Sequence, residues 1–69
     1  MPSLKEQLRQ AHRHVEEATR RVADQTALIE RLKADGHDTG PAKLLLAAFL
    51  QALDVVTRHL AELESSPPR

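Results

Sequence analysis

The four histidines, His12, His14, His37 and His59, are the side chains best suited to chemistry in this sequence. Imidazole titrates near neutrality and ligates metals. Their spacing weakens a metal reading: His12 and His14 are two residues apart, which sends them to different sides of a helix, whereas helical ligand pairs sit three or four apart. His14 and His59, with Glu16, Glu17 and Glu62, would approach one another at the open end of an antiparallel helix pair and offer nitrogen and oxygen ligands. Ordinary surface histidines explain the same residues. His59 also suggests a pH switch at a helix seam, against the plainer reading of a seam-edge ring half in water. His37 is expected to pack its ring over a turn.

Arg9, Arg13, Arg20 and Arg21 would suit a phosphate backbone, but Glu6, Glu16, Glu17 and Asp24 are interleaved with them. Glu16 with Arg20 and Glu17 with Arg21 stand at the i, i+4 spacing of helix ion pairs, so a solvated, salt-bridged face is expected in place of a nucleic-acid surface. This stretch holds no aromatic ring on which a base could stack. No nucleophile, base and orienting group converge, and no glycine-rich loop is present to hold phosphate, so neither enzymatic activity nor a cofactor is expected. The alternative to a structural role is a small regulatory binder of metal, protons or nucleic acid acting through these histidines and arginines.

Composition narrows the classes further. Sixty-nine residues make one domain, with a thin core drawn mainly from Leu, Val and Ala, since there is one Phe and no Trp, Tyr or Cys. Ten basic and ten acidic side chains cancel, so no net field draws the chain to phosphates or anionic lipid. The start, Met1-Pro2-Ser3-Leu4, has no apolar leader core, and the cytoplasm is the expected location. The most apolar stretch, residues 42–56, contains Lys43, Gln51 and Asp54 and is shorter than the roughly 20 apolar residues of a membrane span. It reads as a buried helix in water, with no membrane, nucleic-acid or small-molecule partner expected.

The elements follow from hydrophobic period. Leu4, Leu8, Ala11, Val15, Ala18, Val22, Gln25, Ile29 and Leu32 recur at alternating steps of four and three, the heptad of one helix pressed on another. Ser3 and Glu6 form a capping-box pair at its start, and Gly36 suits the left-handed residue that ends it, which predicts a helix over 4–35. Residues 36–40 make a turn in which Asp38 or Thr39 caps a second helix over 41–64, opened by Pro41. Residues 65–69, with paired prolines, read as a frayed tail.

A turn this short forces an antiparallel hairpin, all-α and coiled-coil in pattern. One register sets Leu32 against Leu46, Ile29 against Phe49, Gln25 against Leu53, Val22 against Val56, Ala18 against Leu60 and Val15 against Leu63. Leu4 and Leu8 then overhang as a partner contact, and the polar Gln25 sits at a core position, either fixing register or reaching to the seam's edge. Helix two carries a second seam, Leu45, Ala48, Ala52, Val55 and His59, widened by Leu44 and Leu50. A lone hairpin would leave that seam wet, so the expected assembly is a homodimeric four-helix bundle joined through helix two.

Arg21-Val22, Gln25, Leu28-Ile29, Leu32 and the turn Gly36-His37-Asp38-Thr39, followed by an Ala/Leu-rich helix, resemble a group of short, uncharacterised bacterial proteins of alphaproteobacterial type. The resemblance implies a stand-alone helical hairpin and assigns no activity to any residue.

Overall fold

The computed structural model describes residues 2–65. Two helices pack against each other, α1 over Leu4–Ala34 and α2 over Gly40–Glu64. The tail positions beyond Ser65 lie outside the described residues.

Local signals account for the ends of α1. The Ser3 hydroxyl accepts the Glu6 amide proton at 3.2 Å. Glu6 does not return the favour of the capping box; its carboxylate turns to Arg9, 3.4 Å away. Glu6 in the first turn and Arg31 and Lys33 in the last complement the helix dipole. At the far end Gly36 adopts φ +75°, which an L side chain resists, and the chain folds back through a Schellman motif. Its two bonds run from the His37 amide to the Leu32 carbonyl (2.8 Å) and from the Gly36 amide to the Lys33 carbonyl (3.1 Å).

The start of α2 is built differently. Thr39 occupies the cap position without a side-chain bond, and Pro41 lies in the first turn. Asp38 serves the helix start: its Oδ1 accepts the Gly40 amide proton at 2.9 Å. Beyond Asp38, no acid stands in the first turn of α2 and no base in its last, so α2 takes little support from its own dipole and depends on what it packs against.

The hairpin's register differs from the expected one. Gln25 Nε2 donates to the Ala42 carbonyl at 2.9 Å. Had Gln25 stood level with Leu53, Ala42 would lie about 16 Å away along the axis at 1.5 Å per residue, beyond a glutamine's reach. The second helix is therefore displaced toward the N-terminus of α1 by about two turns of 3.6 residues. The Schellman turn is the cause, because it sends residues 37–39 back beside the last turn of α1 instead of onward past it. The consequence is read in burial: Ala11, which the expected register leaves beyond the end of α2, is 2% exposed.

The core is a single file. Ala11, Ala18, Ile29 and Leu60 are its buried apolar members and Gln25 its buried polar one. Two of these are alanines, and among the described residues no large side chain is fully buried. Leu46, Phe49, Leu53, Val56 and Leu63 of α2 are half-buried along the same contact. The expectation of a buried second helix is not met within one chain, since Leu60 is the one buried residue of α2.

Candidate interface on the second helix

The seam predicted on α2 lies on the outer surface of the hairpin. Leu45 is 47% exposed and Val55 58%, and Ala48, Ala52 and His59 are exposed between and beyond them. Leu44 is the most exposed large apolar side chain at 76%, and Leu50 on another flank stands at 47%. These residues are uncovered because α1 is one helix wide and occupies one side of α2, while the apolar arc of α2 extends farther around its circumference. A polar strip borders the seam on the side away from α1 and includes Asp54 and Arg58, paired at 2.8 Å.

The seam is not flat. Val55, Arg58, His59 and Glu62 line a shallow hollow of about 280 Å³, open to solvent, near the C-terminal end of α2. Positions i, i+3, i+4 and i+7 of one helix form the four walls of a hole into which a side chain of a neighbouring helix inserts. Val55 and the His59 ring supply apolar surface, while the stems of Arg58 and Glu62 close the sides. Sequence reasoning found Val55 and His59 but missed Arg58 and Glu62 as walls, because it sorted those residues by charge and ignored their methylene stems.

The overhang formed by Leu4 and Leu8 is shortened by the displaced register. Leu4 remains 48% exposed and Leu8 is half-buried.

The residues that invite a metal or phosphate reading are dispersed. All four histidines are exposed, His37 included. Among the described residues no group of three His, Cys, Asp or Glu side chains is placed to hold a metal ion. Arg20 stands 3.9 Å from Asp24, not from Glu16, in a pair whose side chains are 85% and 76% exposed. The expected Glu16 pairing fails because Asp24 lies on the same face one turn ahead, and at such exposure neither partner gains much.

No family model, curated protein or solved structure matches the chain.

Proposed function

We infer that this protein is a non-enzymatic assembly module, a helical hairpin that joins a second copy of itself through the uncovered face of α2 to make a four-helix unit. The carrying observation is the uncovered apolar arc of α2, on an elongated chain of 56 × 17 × 14 Å whose total surface is large for its mass. The chain exposes 5553 Å², whereas a folded monomer of 7.7 kDa exposes about 4,300 Å² on the usual surface-to-mass scaling. The excess, roughly 1,200 Å², is more than the about 800 Å² that each partner buries in a standard protein interface. Leu44 and Val55 stand on that surface with more than half of their area in water, and Leu45 with nearly half. Polar α1 suits the outside of such a unit and apolar α2 its middle.

By length and composition α2 also passes as a helix able to cross a membrane. Its Lys43, Asp54 and Arg58 and the heavily charged α1 packed along it weigh against spanning, since α1 would have to be stripped away. On the assembly reading the module works in an aqueous compartment.

Sedimentation equilibrium of the whole chain tests this. A dimer mass at micromolar concentration, lost on Ala52→Glu with helicity retained at high protein concentration, is the expected result. A monomer mass throughout, or co-flotation with phosphatidylcholine vesicles in preference to self-association, would overturn it.

A further inference from the structure

The geometry points to an antiparallel pairing of the two α2 helices in which Leu44 of each copy seats in the Val55, Arg58, His59 and Glu62 hollow of the other; this rests on the assembly reading above. Leu44 is the most exposed large apolar side chain among the described residues, with about three quarters of its surface in water. The hollow is the complementary feature, an open depression of about 280 Å³ beside Val55 and His59 that a leucine side chain could cover.

Their placement along α2 makes the pair self-complementary. Leu44 lies fourteen to fifteen residues from the hollow's centre between Arg58 and His59, about four full turns at 3.6 residues each, so knob and hollow share one face of the helix. A two-fold axis perpendicular to α2 and midway between them carries each knob onto the other copy's hollow, as an isologous interface requires. That midpoint falls at Gln51 and Ala52, with Ala48 a turn away, where small side chains let the two backbones approach. Gln51 then meets its own symmetry mate, amide to amide. A parallel pairing would set Leu44 on Leu44 and hollow on hollow, leaving both holes unfilled. Orientation thus follows from shape.

The chain has no cysteine, so introduced thiols report proximity cleanly. Chains carrying Leu44→Cys, mixed with chains carrying Arg58→Cys, are expected to form the mixed disulfide in mild oxidant, and Gln51→Cys is expected to link to itself. Leu44→Ala should raise the dimer dissociation constant about 10- to 100-fold, two apolar knobs being lost per dimer, with unchanged helicity by circular dichroism. A dimer in which Leu44→Cys links to itself, or whose dissociation constant ignores Leu44→Ala, overturns the pairing while the assembly reading stands. A wild-type chain that sediments as a monomer at every concentration overturns both.

Discussion

The Gln25 carboxamide of α1 donates to the Ala42 carbonyl in the first turn of α2, 2.9 Å away, and Gln25 is 8% exposed. A buried amide at a heptad position is costly unless it is bonded, so the contact favours the one register in which a carbonyl stands opposite. No buried side-chain nitrogen or oxygen among the described residues lacks a partner.

Replacing Gln25 with leucine should separate specificity from stability. The Ala42 carbonyl keeps its place in the helical ladder, and leucine fills similar volume, so the unfolding free energy should shift by about 1 kcal/mol or less in either direction. Register should suffer more, with a second set of amide resonances in the NMR spectrum as slipped hairpins become populated. A single set together with a loss beyond about 3 kcal/mol would show that the bond serves stability instead.

Gly36→Ala tests the turn. A Cβ there would meet nothing within 4 Å, so any cost is that of holding an L residue at φ +75°. Urea unfolding should report about 1 kcal/mol of destabilisation, and Gly36→Asn should cost less because asparagine tolerates this region. Equal stability of Gly36→Ala and the parent would mean that the chain reverses by another route.

Ala11→Leu discriminates between registers. With Ala11 at 2% exposure, α2 lies over it and the added methyls must force the helices apart, at about 1–3 kcal/mol. If α2 ended short of this level, the leucine would project into solvent and change stability by no more than about 0.5 kcal/mol. Thermal melts at fixed protein concentration distinguish the two.

The ion pairs should matter little. Arg58 and Asp54 are close, at 2.8 Å, but their side chains are 70% and 64% exposed. Asp54→Asn is expected to change the unfolding free energy by about 0.5 kcal/mol or less, and 1 M salt should have a similarly small effect through this pair. A drop of several kcal/mol would mark Asp54 as part of a contact that one hairpin does not contain.

Much of the fold was legible in the residues. Ser3 marked the start of α1, Gly36 its end, and the heptads the two facing stripes, because caps and period are local properties that act before any tertiary contact forms. The arc Leu44, Leu45, Ala48, Ala52 and Val55 was legible as a surface that one partner helix cannot cover, since counting apolar positions around a helix needs no coordinates. Partners for individual charges were not: Arg20 had both Glu16 and Asp24 in reach, and side-chain rotamers chose between them.

What the amino-acid order determined by itself was two amphipathic helices, a reversal between them and an apolar stripe to spare. What the tertiary structure decided was how far the second helix slides along the first. A heptad pattern repeats every seven residues and accepts each slip of that length equally well, so periodicity has no means of choosing among them. The choice came from non-periodic elements: the tight Schellman reversal at Gly36 and His37, and the single carbonyl, Ala42, that Gln25 can reach. The hollow between Val55 and Glu62 likewise exists only once neighbouring side chains take up definite conformations in space.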